Sequence, residues 1–129
     1  MIIIGLGETE IGHLIARYSS RIRILGWRPA RTFFQGLDLL IHHASSEPYG
    51  MAVAEAMSAV VPVIVSDQCG VASGVSTSCG TVLALTEPPK EWALRADQQI
   101  RMPIQISTYS RDWQEVAGEY LDIYRDTRI

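Results

Sequence analysis

Apolar residues in this chain gather into short unbroken runs. "IIIG" at 2–5, "DLLIHH" at 38–43, "PVIVSD" at 62–67 and "TVLAL" at 81–85 lack the period-two alternation of a half-solvated strand. Such runs suit strands of a parallel sheet covered on both faces. A fifth run, "RIRILG" at 21–26, does alternate, which predicts an edge position. Between the runs the apolar spacing becomes helical. Residues 8–18 carry Ile11, Leu14, Ile15 and Tyr18 on one face, and "ARTFFQGL" predicts a short helix near 30–36. A third helix is predicted over 50–59, with Val53, Met57 and Val60 towards the core. A fourth opens with proline in "PKEWALRADQQI". The last, "SRDWQEVAGEYLDIYRD", is read with a Ser110 cap and a stripe of Trp113, Val116, Ala117, Tyr120, Leu121 and Tyr124. Strand and helix alternate throughout, which predicts an α/β, Rossmann-like three-layer sandwich with a parallel five-stranded sheet. With no repeat, linker or low-complexity stretch, residues 1–129 read as one domain.

Composition narrows the function classes. At 129 residues, with 47% hydrophobic and 19% charged residues, the chain can build one core but is small for a complete two-substrate enzyme. A net charge of −3 with mixed signs gives no reason to expect nucleic acid or an acidic membrane as a partner. Cys69 and Cys79 have no second pair to complete a zinc site. They are expected as reduced, part-buried thiols, which points to the cytoplasm. No basic residue precedes the N-terminal apolar run, so no signal peptide is expected. The apolar stretch 51–65 is broken by Glu55, Ser58 and Pro62 and falls short of a transmembrane segment.

Three places carry candidate chemistry. In "IIIGLGETEIG" a strand, Gly5 and Gly7 imitate the start of a dinucleotide fingerprint, but its third glycine is due at Glu10 and Gly12 comes two residues late. Glu8 and Glu10 would repel a pyrophosphate, and a tight strand-to-helix turn is the better reading. His42 and His43 end the third strand, and neighbours on a strand point to opposite faces, so they cannot share a metal without a bend. They are read as polar residues at a strand end, with a substrate contact as the alternative, since open α/β sheets place ligands there.

The third place is "SSEPYGMAVAEAM", residues 45–57. Glu47 follows a buried strand, Pro48 holds it in an extended or turn conformation, and Tyr49-Gly50 opens the next helix. The first N–H groups of a helix favour an anion. Glu55 and Ser58 lie opposite the core face among Ala52, Ala54 and Ala59, so other groups can approach closely. Ionised carboxylates only accept hydrogen bonds, which suits a ligand rich in hydroxyls. From the residues alone, a solvated surface helix with incidental charges stays ahead of a sugar-phosphate site.

The stretch "SSEPYGMAVAEAMSAVVPVIVSDQCGV" resembles the donor-binding segment of the GT-B fold glycosyltransferases of retaining family 4. That pattern runs E-P-[FY]-G, E-A-M, a proline-initiated strand ending near S-D, then glycine. The flanks "RIRILGW", "FFQGLDLLIHHA", "TSCGTVL" and "RDWQEVAGEYLDIYR" extend the likeness over about residues 2–125. The resemblance implies one half of a GT-B fold that binds a nucleotide-sugar donor. Glu47 would be the catalytic-site carboxylate on the sugar hydroxyls, and the N–H groups of Tyr49, Gly50 and Met51 would meet sugar and diphosphate. Glu55 would accept from the ribose hydroxyls, while Trp27 and Arg28 frame the base. No cofactor or metal is implied, because helix dipole and cationic side chains balance the leaving diphosphate.

The chain also departs from the pattern. It lacks the N-terminal acceptor-binding domain and the first strand of the C-terminal domain, with its basic pair; Arg17, Arg21 and Arg31 sit elsewhere in the sequence. Closing the sheet without that strand gives the order 2-1-3-4-5, as in flavodoxin-like folds; a homodimer that fills the slot is the alternative. Val60 stands where the family usually has glycine, and a positive φ there would cost roughly 1–3 kcal/mol. The expectation is therefore a donor-binding half, inactive without an acceptor half supplied by a missing domain or separate subunit. That half would also bring any peripheral attachment to the membrane. The rival is a non-catalytic α/β module that pairs with an acceptor-binding chain.

Overall fold

A computed structural model of the chain describes residues 2–3, 17, 20–21, 23–25, 28–102 and 112–127. The chain divides into two compact units, residues 1–36 and 37–129. In the first unit β1 (Ile2–Ile3) pairs in parallel with β2 (Arg23–Ile24), Ile2 opposite Arg23. Helix α1 (Ala30–Phe33) runs into a 3-10 turn, Phe34–Gly36, and the rings of Phe33 and Phe34 meet edge-on at 5.9 Å. The helix expected over 8–18 lies outside the described residues except at Arg17.

The second unit is built on three parallel strands, β3 (Leu40–His42), β4 (Val63–Ser66) and β5 (Gly80–Leu83), in the order β3-β4-β5. Leu40 faces Val63, and Val63 faces Gly80. Every residue of β4 is buried, as an unbroken apolar run between two neighbours requires. Ile64 packs with Leu83 and with Trp92 of helix α3 (Pro89–Arg101). Alternate strand residues point to opposite faces. Val63 and Val65 therefore point to the other side of the sheet, and both are fully buried. Helix α2 (Met51–Ser58) packs on β3 and β4, and it buries Val53, Ala56 and Met57. Gly80 is fixed by proximity, since a Cβ there would overlap the Val63 carbonyl. The α/β class and the parallel sheet are thus as the sequence predicts. The step from β1 to β3 in the expected order lies between the two units and stays an expectation.

Two local expectations change. Val60 is not a core residue: α2 ends at Ser58, and Val60 follows the Ala59 cap with φ 64° and half of its surface exposed. Its N–H donates to Met57 O at 3.1 Å, and that of Val61 donates to Ala56 O at 2.9 Å. Those two bonds define a Schellman ending, which puts the residue after the cap in the left-handed region. The helix wheel therefore stops before Val60, and Ala56 takes the core place. At the other end, helix α4 (Trp113–Asp126) is capped by Asp112, not Ser110, which lies outside the described residues. Asp112 accepts from Glu115 N at 2.8 Å while Glu115 accepts from Asp112 N at 3.1 Å, a reciprocal capping box. The aromatic stripe of α4 is present but buries no residue. Among the described residues no helix is long and apolar enough to cross a membrane.

Candidate functional site

The chain leaving β3 is pinned to its neighbour at once. Ser66 Oγ, at the C-terminal end of β4, donates to Ala44 O at 2.6 Å. Beyond it Glu47 forms an isolated parallel bridge with Cys69: Glu47 N donates to Gln68 O at 3.2 Å, and Gly70 N donates to Glu47 O at 3.0 Å. The bridge continues the β3–β4 pairing past the strand ends, so the turn at 47–50 is held by the segment that follows β4. Gly70 is required there, because a Cβ would run into the Pro48 carbonyl.

The turn itself is set by one residue. Gly50 caps α2 with φ 96° and ψ 56°, a conformation that glycine adopts without penalty. Space is a second reason: a Cβ at Gly50 would overlap Cys69 Sγ. The Glu47 side chain folds back over this turn. Its Oε1 accepts from Gly50 N at 3.1 Å and, more loosely, from Tyr49 N at 3.4 Å. Two of the three N–H groups expected to meet a donor are therefore already facing a carboxylate of this chain. Those of Met51 and Ala52 have no partner among the described residues.

Glu55 lies one turn into α2, exposed, on the face that also carries Met51 and Ser58 and opposite Val53, Ala56 and Met57. Side chains on a helix lean towards its N-terminus, so Glu55 leans back over the turn that starts at Met51. Glu47, Tyr49, Gly50, Met51 and Glu55 thus belong to one continuous structural element at the C-terminal edge of the sheet. Arg28 is exposed and belongs to the first unit, and Trp27 lies outside the described residues. His42 precedes this turn, with Nε2 buried and without a partner among the described residues; the His43 ring packs edge-on against Trp92 at 4.7 Å.

Sequence reasoning missed Cys69 and the 3-10 turn Gly70–Gly74 as the support of the site. A glycine after S-D was part of the family likeness, yet the reason for it is the Pro48 carbonyl, twenty-two residues away in the sequence.

Comparison with known proteins decides the family. The model for Glycosyl transferases group 1 matches residues 1–101. The chain belongs to this family. The lipopolysaccharide glucosyltransferase WaaG of Escherichia coli (strain K12) is 35% identical over 86 residues, which is 66% of this chain and 22% of WaaG. Among solved structures, WaaG aligns with a TM-score of 0.71 at 22% identity, over 98% of this chain and 34% of that one. Anabaena Alr3699/HepE in complex with UDP aligns with a TM-score of 0.70 at 24% identity, over 96% of this chain and 37% of that one. The same protein with UDP-glucose gives 0.68 at 25% identity over the same shares. This chain therefore has the fold of a GT-B domain and spans little more than a third, or less, of these relatives.

Proposed function

We propose that this chain is the nucleotide-sugar-binding half of a retaining glycosyltransferase, and that it transfers nothing without an acceptor-binding half. The observation that carries the reading is the Glu47–Gly50 turn, where a carboxylate and free helix N–H groups meet at the edge of the sheet. Similarity to a structure that contains UDP-glucose supports a uridine nucleotide as the first donor to try.

In this reading Glu47 turns from the Gly50 N–H to the hydroxyls of the donor sugar. The N–H groups of Gly50 and Met51 then receive the diphosphate, with the positive end of α2 behind them. Glu55 accepts from the ribose hydroxyls. The developing charge on the leaving diphosphate is balanced by the helix and by cationic groups, without a metal ion. Such an enzyme works in the cytoplasm, and its acceptor half, on a further domain or a separate chain, makes any contact with the membrane.

Backbone amide shifts followed during titration with UDP-, GDP- and ADP-sugars test this. Shifts at Gly50, Met51 and Glu55 with one nucleotide class are expected. Silence at all three with every nucleotide overturns it.

A further inference from the structure

The peptide between Tyr49 and Gly50 is held from both sides. Its N–H points to Glu47 Oε1 at 3.1 Å. Its carbonyl accepts from Val71 N at 2.7 Å and from Cys69 Sγ at 3.3 Å. In a trans peptide the C=O and N–H point in opposite directions, so whatever fixes the carbonyl also aims the N–H. Cys69 acts on the unit twice, because its sulfur also fills the space beside the Gly50 Cα. The thiol is free and only 3% exposed.

We infer that Cys69 is a positioning residue for the donor site: with Val71 N it orients the Tyr49–Gly50 peptide so that the Gly50 N–H faces the ligand. The inference rests on the donor-binding reading above and deepens it, since Cys69 touches no part of the donor itself. A small side chain with a hydrogen-bond donor is required at this position. Alanine supplies no donor and leaves a gap beside Gly50, and a larger residue would press on a backbone that has no room. Serine keeps a hydroxyl donor, but its shorter Cβ–O bond sets that donor back from the Tyr49 carbonyl, so it replaces the thiol only in part.

A matched control exists in the same chain. Cys79 is equally buried, at 3%, but its sulfur interacts with Ser76, accepting from Ser76 N at 3.2 Å and donating to Ser76 O at 3.4 Å. Truncating either thiol removes a buried sulfur; only one of them supports the turn.

The experiment compares Cys69→Ala, Cys69→Ser and Cys79→Ala with the parent chain by melting, by the Gly50 amide resonance and by calorimetric titration with UDP-glucose. Expected for Cys69→Ala is about three- to tenfold weaker binding, the range of one lost hydrogen bond, together with a shifted and faster-exchanging Gly50 amide. Cys69→Ser should fall between Cys69→Ala and the parent in both. Cys79→Ala should melt earlier, as Cys69→Ala does, with the parent's affinity and Gly50 resonance. If the parent binds and Cys69→Ala matches Cys79→Ala in affinity and at Gly50, the positioning role is wrong while the donor site stands. If the parent binds no UDP-, GDP- or ADP-sugar, the donor site itself is wrong, and the role of Cys69 falls with it.

Discussion

Glu47 Oε1 accepts a hydrogen bond from the N–H of Gly50, three residues on, and so covers the entrance of α2 with a negative charge of the chain's own. A diphosphate that approaches this entrance competes with that carboxylate. Hydrogen bonds to a charged acceptor are worth about 1.5–3 kcal/mol and neutral ones about 0.5–1.5. Glu47→Gln keeps an oxygen for the Gly50 N–H but weakens the competitor by about 1 kcal/mol. UDP alone is therefore expected to bind about two- to fivefold tighter to Glu47→Gln. UDP-glucose is expected to lose its advantage over UDP, because the sugar hydroxyls lose a charged acceptor. Calorimetric titration with the two ligands checks this, and weaker binding of UDP itself would contradict it.

Glu55 is exposed, so its contribution should appear in ligand recognition and not in the fold. Replacement by alanine is expected to change stability by no more than about 0.5 kcal/mol, as for other surface sites. The parent chain should prefer UDP over 2′-deoxy-UDP by about tenfold, the worth of one charge-assisted hydrogen bond. Glu55→Ala should bind the two alike. A preference that survives the substitution would remove Glu55 from the ribose contact.

Val60 at φ 64° is the one described residue other than glycine in the left-handed region. For a β-branched side chain this costs about 1–2 kcal/mol, and half of the side chain is exposed, so little burial is lost with it. Glycine gives back about 0.5–1 kcal/mol of that as chain entropy. Val60→Gly is expected to be more stable by up to about 1 kcal/mol, a rise of a few degrees in Tm. An unchanged or lower melting temperature would mean that Val60 is held by contacts stronger than its backbone strain.

Asp67 sits just past β4 and accepts from Gln68 Nε2 at 3.1 Å and from Leu85 N at 3.0 Å. The Gln68 bond, then the Leu85 N–H, holds its carboxyl below the ordinary value of 3.8. A group lowered on folding stabilises the fold above its unfolded pKa and loses that contribution as pH falls through the folded one. The difference in Tm between the parent and Asp67→Asn should be full at neutral pH and shrink below about pH 4. Carbon-detected titration of the carboxyl should place its midpoint under those of ordinary aspartates.

The sequence was most informative where one residue sees both of its constraints locally. The unbroken run Val63–Ser66 announced a strand covered on both faces. The opening of α2 at Tyr49-Gly50 was legible, and so was the position of Glu55 opposite the buried side of α2, from a helical wheel. Val60 was misplaced because the wheel assumes that the helix continues, and the Schellman ending removes the residue from the core face. The cap of α4 was misjudged between Ser110 and Asp112, which are about equal as capping residues; Glu115, three positions after Asp112, was the signal that separated them. Cys69 carried no local signal, since its partner carbonyl is twenty residues away and is brought near only by the bridge from Glu47 to Cys69.

Helix α4 shows how far an amphipathic pattern is from burial. Its stripe includes Trp113 at 85% exposure and Tyr124 at 70%, and it buries no residue. A helix of this length without tertiary packing is marginal in water, and the Asp112–Glu115 box adds only about 1 kcal/mol. Its amides should therefore open with less than about 2 kcal/mol, whereas those of Val63–Ser66 should exchange only near global unfolding. Asp112→Ala should speed exchange through the first turn of α4 and leave β4 unchanged. Hydrogen exchange followed residue by residue checks both. Equal protection in α4 and β4 would mean that the aromatic stripe is covered in solution and that the helix unfolds only with the core.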